Sequence, residues 1–238
     1  PASAQSQTED LEKLYGDEDF VSSATGTKQP ISKAPSVASV VTADDIKAMG
    51  ATNLDEVLET VPGLHVSTSS LWFSPIYSIR GIYTDINPQV LVLVNGVPMT
   101  QLYTGDRGAR STLQVQDISR VEVIRGPGSA VYGADAFAGV INVITKDAQE
   151  IDGTQIGTRI GSFNTEQAWL LHGSSWHGLN IAFSFQWEHT SADQSRIIDA
   201  DSQTTFDTAL GTNASAAPGQ ANPHQQRVDT RLDLSTGN

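Results

Sequence analysis

The stretch Leu179–Thr190, LNIAFSFQWEHT, alternates with a period of two along its length. Leu179, Ile181, Phe183, Phe185 and Trp187 fall on one side, and Asn180, Ala182, Ser184, Gln186 and Glu188 on the other. A helix repeats every ~3.6 residues and would mix the two sets. An extended strand separates them, because successive side chains point to opposite faces. The chain must therefore build a sheet with one apolar and one polar face. Arg227–Ser235 repeats the pattern, with Val228, Leu232 and Leu234 opposing Asp229, Arg231 and Asp233. Residues 154–162 and 166–176 read as two further strands, and His177-Gly178 as a tight turn between strands. Residues 191–226 read as a long polar loop containing APGQANP.

Two architectures carry such strands. A transmembrane β-barrel turns its apolar side chains to lipid and its polar ones to the lumen. A soluble β-sandwich buries the apolar face instead. Alternation alone leaves both open. A membrane-spanning helix needs ~20 predominantly apolar residues, whereas the longest uninterrupted aliphatic run here is Val90–Val94, VLVLV.

Composition removes several function classes. The 238 residues carry a formal net charge of −13 with only 17% charged side chains, which argues against nucleic acid, whose phosphates need clustered Lys and Arg. There is no Cys, hence no disulfide, thiol nucleophile or thiolate metal site in these residues. Ala2-Ser3-Ala4 before Gln5 fits the small-x-small cleavage pattern of a secretory signal, or is an ordinary Ala/Ser-rich terminus; the first reading implies export.

Residues 1–35 read as a flexible tether. Glu9, Asp10, Glu12, Asp17, Glu18 and Asp19 stand against Lys13, and the following residues are Ser, Thr, Gly and Pro with little periodicity. Residues 36–147 read as a small mixed α/β domain. Residues 36–41 make a strand. A helix follows, with Thr42 as N-cap, Asp45 at N3 and Gly50 as the stop. In a second helix Thr52 caps, Leu54, Val57, Leu58 and Val61 form an apolar stripe, and Pro62-Gly63 ends it. Strands are expected at 64–68, 76–80, 90–94, 120–124 and 139–145, with Asn95-Gly96 as a hairpin turn.

Ile124–Lys146, IRGPGSAVYGADAFAGVINVITK, is rich in glycine and ends in an apolar run. It is not a phosphate loop. Gly128 and Gly133 have the P-loop spacing, but Ala134-Asp135 follows where Lys-Ser/Thr is required. Gly126-Pro127-Gly128 is not G-x-G-x-x-G, since residue 131 is Val, and Pro127 has no N–H to offer an anion. Ser129 lacks the flanking glycines of a nucleophile elbow. The five histidines show no H-x-x-x-H spacing. Neither a catalytic nor a metal constellation emerges, so no cofactor is expected. Gly81, Asn95, Gly96, Gly126, Pro127, Gly128, Gly133 and Gly139 read as turn and close-packing residues.

At this point the residues carry a resemblance. Asp117–Lys146, DISRVEVIRGPGSAVYGADAFAGVINVITK, resembles the C-terminal signature of the plug domain of TonB-dependent outer-membrane receptors. Residues 39–66 resemble the opening of that plug, 76–82 its central Ile-Arg-Gly motif, and 90–99 its strand-turn-strand. The match is continuous over residues 36–146, with four motifs in order. It implies an α+β plug, a small mixed sheet with short helices, followed by antiparallel strands of a transmembrane β-barrel over 154–238. It also implies a bacterial outer-membrane protein, plug and N-terminus toward the periplasm, contacting outer-membrane lipid. Its implied activity is active import of a scarce large solute, best a ferric siderophore and next cobalamin or haem, energised by TonB. A lumen of about 22 strands is too wide to leave open, so a folded plug must fill it.

The resemblance extends to residues. Arg80, Arg120, Glu122 and Arg125 resemble plug charges that latch onto acidic groups of the barrel wall. Arg120 and Glu122 share a strand face, so a pair within the plug is the alternative. Asp19, Phe20, Val21, Ser22, Ser23 and Ala24 are the candidate TonB-coupling segment, which would add a strand to the partner's sheet edge. The loops 67–75, 83–89 and 101–108 are expected to meet solute through Trp72, Phe73, Tyr83, Asp85, Asn87, Tyr103, Asp106 and Arg107, the alternative for the aromatics being packing against barrel loops. Trp169, Trp176 and Trp187 are expected in the wall near the lipid interface.

Ninety-two residues follow Lys146, room for about four strands of ~10 residues. Four strands cannot close, and an open edge is not viable in lipid. The barrel is thus expected to be incomplete, the chain being the front portion of a longer receptor. A ligand-binding or signalling receptor is the competing class; such receptors carry a folded domain ahead of the coupling segment, and only 18 residues stand before Asp19 here.

Overall fold

A computed structural model describes residues 20–21, 29–30, 37–68, 74–84, 89–100, 113–126, 132–195, 197–220 and 224–236. The chain divides into two compact units, Pro1–Lys146 and Asp147–Asn238.

In the first unit a two-residue strand β1 (Phe20–Val21) pairs antiparallel with β2 (Gln29–Pro30). Then come β3 (Val37–Thr42), α1 (Ala43–Met49) and α2 (Leu54–Glu59). Helix α1 starts where Thr42 and Asp45 form a reciprocal capping box and stops at Gly50, whose φ is 71°. The Thr42 backbone N–H, followed by its hydroxyl, holds the Asp45 carboxyl below the usual range. Helix α2 corrects the sequence reading by one residue. Asn53 is its N-cap, accepting from Glu56 N at 3.1 Å, while Thr52 is gripped by the returning Glu56 carboxylate, its N–H donating at 2.6 Å. Asn and Thr are both good caps, and only the backbone geometry decides between neighbours. The stripe Leu54, Val57, Leu58 and Val61 is buried as expected.

The hairpin β4 (Leu64–Thr68) with β5 (Pro75–Ile79) follows. Next are β6 (Val90–Val94), β7 (Val97–Pro98), β8 (Ile118–Arg125) and β9 (Gly139–Thr145). These four join β3 in a mixed sheet of order β3-β8-β9-β6-β7, in which only the β6–β9 pair is parallel. Strand β6 is apolar throughout because both of its faces are covered. Val90 and Val92 join the main core with α1, α2, β4 and β5, and Leu91 and Leu93 join a second cluster with Ile124, Ala136 and Val140.

The second unit opens with a single turn, α3 (Ala148–Ile151), then β10 (Gly153–Gly161), β11 (Thr165–Trp176) and β12 (Leu179–Thr190). His177-Gly178 turns the β11–β12 hairpin with φ 49° and 80°. The expected polar loop after β12 is not structureless. It holds β13 (Ile197–Ile198) paired with β14 (Gly219–Gln220), and between them α4 (Ser202–Leu210). The last strand is β15 (Gln225–Thr236). Strands β10, β11, β12 and β15 form one open antiparallel sheet in sequential order. Among the described residues no helix is long and apolar enough to cross a membrane, which leaves strand-built spans untouched.

Candidate functional site

The second sheet is inverted. On β12 the polar set Ser184, Gln186 and Glu188 is buried, Gln186 to 1% exposure and Glu188 to 4%. The apolar set is turned outward, with Phe185 exposed. Register carries this across the sheet: Ile156 on β10, Leu170 on β11, Phe185 on β12 and Thr230 on β15 form one outward row. Ile156 is 74% and Leu232 60% exposed. A sandwich would bury these side chains; a barrel wall exposes them.

The inward face carries a row that periodicity did not reveal. Arg159, Gln167, Glu188 and Arg227 stand directly opposite one another on four successive strands. Arg159 reaches the Gln167 side-chain oxygen at 3.5 Å, Gln167 donates to Glu188, and Arg227 donates to the other Glu188 oxygen and to Gln225. Glu188 is thus a buried carboxylate shared by an amide and a guanidinium, the arrangement that burying a charge demands. Same-face Gln167 two residues before Trp169, with polar Gln186 opposite Trp169, is the one signal that could have exposed the row. Trp169 itself corrects expectation: it lies on this inward face, over Gly157, where a Cβ would come 2.1 Å from the indole. Trp176 and Trp187 stand on the outward face.

Several turn residues of the first unit adopt the left-handed backbone that glycine and asparagine favour. Asn95 and Gly96 have φ 49° and 78°, the pair of positive angles a type I′ turn requires. Asn95 does more than turn. Its side chain donates to Thr145 Oγ1 at 2.8 Å and accepts from Thr145 N at 2.9 Å, and Gly96 N donates to Asn142 Oδ1 at 3.0 Å. The hairpin is clamped to the end of β9. Gly139 allows close approach, since a Cβ there would sit 2.5 Å from the Ile124 carbonyl oxygen. Gly81, Gly126 and Gly133 all have positive φ. Pro127 and Gly128 lie outside the described residues.

The plug charges separate. Arg120 Nε donates to Glu122 Oε1 at 3.0 Å, and the Glu122 side chain is fully buried. Burial, with the Glu122 charge as a second cause, pushes the nearby Tyr132 hydroxyl up. Arg125 donates to the Pro62 carbonyl and, at 2.7 Å, to Ser39 Oγ. Its Nε is buried with no partner among the described residues. Arg80 is exposed at the end of β5, with φ 52° and its N–H donating to Gly63 O at 3.0 Å. Tyr83 is exposed. The β4–β5 hairpin puts the 69–74 connection at one end and Arg80-to-Tyr83 at the other. Trp72, Phe73, Asp85, Asn87, Tyr103, Asp106 and Arg107 lie outside the described residues, as do Asp19, Ser22, Ser23 and Ala24. No group of three His, Cys, Asp or Glu side chains could hold a metal among the described residues.

An α+β plug-like unit followed by an inverted antiparallel sheet defines a class: a bacterial outer-membrane receptor whose wall strands follow a plug. The comparisons agree. The TonB-dependent receptor plug domain family matches residues 30–140, so the first unit carries a plug domain of that family. It is 35% identical over 158 residues to the vitamin B12 transporter BtuB of Vibrio vulnificus (strain CMCP6), covering 66% of this chain and 25% of that protein. The chain thus spans about a quarter of the length of that relative. The ferric yersiniabactin uptake receptor FyuA from Yersinia pestis superposes with a TM-score of 0.60 at 22% identity over 85% of this chain and 29% of its own. That share is larger than the first unit alone can supply, so the likeness takes in wall strands too. The pyoverdine outer membrane receptor FpvA from Pseudomonas aeruginosa PAO1 gives 0.61 at 21% identity, over 72% of this chain and 24% of its own. The family comprises receptors of the bacterial outer membrane and not enzymes.

Proposed function

We propose that this chain is the plug and the first wall strands of a receptor that imports a scarce, large metal complex across the outer membrane, energised by TonB. The observation that carries the reading is a plug joined in one chain to a sheet with its apolar face exposed and its polar face buried. The exposed face meets lipid. Trp176 and Trp187 bracket it, the first beside Leu179 in register. From Leu179 to Trp187 the strand rises about 27 Å at ~3.4 Å per residue, comparable with the ~25 Å apolar band between aromatic girdles. The His177-Gly178 turn then faces the periplasm, and the excursion between β12 and β15 faces outside.

The coupling segment is Asp19–Ala24. Phe20 and Val21 are extended and pair with Gln29–Pro30, a backbone able to join another sheet edge. Arg80 is the plug charge that latches to the wall. Arg125, which also braces Pro62 and Ser39 within the plug, is the second latch charge. Solute meets Trp72, Phe73, Tyr83, Asp85, Asn87, Tyr103, Asp106 and Arg107. A ferric siderophore is the first reading of the solute. Cobalamin is the second, favoured by the 35% identical vitamin B12 transporter.

Uptake tests both. Cells lacking other receptors for these solutes, expressing the natural chain, are given a radiolabelled ferric siderophore or radiolabelled cobalamin, with and without an uncoupler. Uncoupler-sensitive accumulation of one solute supports import and names the solute. Binding without accumulation would leave a receptor module in place of a transporter.

A further inference from the structure

The junction between plug and wall is sharp to one residue. Lys146 belongs to the plug: its N–H donates to Asp117 O at 2.8 Å and its ammonium to Gln116 O at 3.0 Å. Asp147 belongs to the wall: its carboxylate caps α3, accepting from Gln149 N and Glu150 N at 2.8 Å each, and Glu150 returns a carboxylate to Asp147 N at 2.9 Å.

Helix α3 is too short to hold itself together, because a single turn fixes many dihedrals for one or two hydrogen bonds. What holds it is the sheet. Gly173 and Ala182 stand opposite one another on β11 and β12, a cross-strand pair of the smallest side chains on the inward face. The turn lies over this pair. A Cβ on Gly173 would meet the Ala148 carbonyl oxygen at 2.3 Å and Ile151 Cβ at 2.8 Å. Ala148 and Ile151 are buried with Leu171 and Ala182, and Trp169 packs against them. Gln155 Nε2 donates to Ile151 O at 2.8 Å, tying the last turn to β10.

We infer that α3 is a fixed anchor seated over Gly173 and Ala182, and that the chain pivots between Lys146 and Asp147. Whatever part of the plug is displaced when a solute passes, the displacement ends at Lys146, and α3 stays with the wall. The inference rests on the plug-and-wall reading but not on transport.

The natural chain in outer membranes tests it. These 238 residues contain no Cys, so Ala148→Cys on α3, Ala138→Cys in the plug core and Ser184→Cys on the wall each add one buried thiol to this part of the protein. Reaction with a small maleimide is followed along a urea series. The thiol at 148 is expected to become reactive with the one at 184, at higher urea than the one at 138. Reaction at or below the urea concentration that exposes position 138 overturns the anchor, including the case in which all three react together. Gly173→Val is the second arm. It is expected to raise labelling at 148 without urea by about tenfold or more, as local opening of one element does, with labelling at 138 unchanged. Unchanged labelling at 148 in this variant also overturns it. No solute enters either arm, so a receptor that fails the uptake experiment can still pass this one, and the reverse.

Discussion

Arg120→Ala would remove the Arg120 guanidinium from the fully buried Glu122 carboxylate. Removing one partner of a buried pair costs about 3–5 kcal/mol, more than the pair itself contributes, because the survivor cannot be rehydrated in place. The expected result is a fall of that size in the urea unfolding free energy of the plug. Arg120→Ala combined with Glu122→Gln should recover much of it, and an equal loss in both variants would show that packing rather than charge is at stake. Asn95→Ala tests the second residue-scale device. It removes two side-chain hydrogen bonds to Thr145 and places a Cβ-bearing residue less suited to φ 49°. Leaving the buried Thr145 without these bonds costs about 1–3 kcal/mol, read as a lower urea midpoint with the slope unchanged. The glycines and asparagine at these turns were legible because positive φ restricts residue choice so strongly. The Asn95–Thr145 clamp was not, because 50 residues separate its partners and only the parallel β6–β9 pairing brings them together.

At the scale of elements, the excursion between β12 and β15 departs most from what the sequence suggests. Helix α4 has no apolar stripe to announce it; Phe206 and Leu210 are both exposed. Its order comes from carboxylates. Asp201 closes a capping box with Thr204 and also accepts from Ser215 Oγ at 2.7 Å. Asp207 accepts from Thr212 Oγ1 at 2.6 Å, Gln203 Nε2 at 3.0 Å, Ser215 N at 2.7 Å and Ala214 N at 2.9 Å. The Thr212 hydroxyl, foremost among these donors, brings the Asp207 carboxyl down to about 2. A carboxyl whose folded pKa is depressed adds stability above its unfolded pKa and loses it as pH falls through the folded value. The excursion should therefore stay protease-resistant down to about pH 4 and open progressively as pH approaches about 2. Limited proteolysis between residues 197 and 220 measures this. Asp207→Asn, which keeps the shape but loses the charge, should raise cleavage at neutral pH and flatten the pH dependence; an unchanged profile would remove Asp207 from the role. The α1 box was readable because Thr42 and Asp45 sit three apart beside an apolar run. Here Asp201, Asp207 and Ser215 converge only after the chain has doubled back.

For the whole molecule, the alternation in β12 and β15 defined two faces but not which one is buried. Period two is common to a sandwich and a barrel. The burial of Gln186 and Glu188 against the exposure of Ile156 and Leu232 supplies the sign, and with it the environment each face prefers. The two environments give opposite predictions for one substitution. Leu232 lies opposite Phe183, midway along the outward apolar face. If lipid covers that face, Leu232→Lys places an ammonium near the middle of the bilayer and costs about 2–4 kcal/mol. If water covers it, the same change on an exposed strand stays within about 0.5 kcal/mol. Ser235→Lys on the inward, exposed end of β15 serves as the control, since a lumen accepts polar groups. The measurement is folding of the natural chain into lipid vesicles, read by resistance to unfolding in urea and by compact migration before boiling. Leu232→Lys is expected to lower the urea midpoint markedly while Ser235→Lys leaves it in place. The reverse order would show that the apolar face is not the covered one and would overturn the barrel-wall reading.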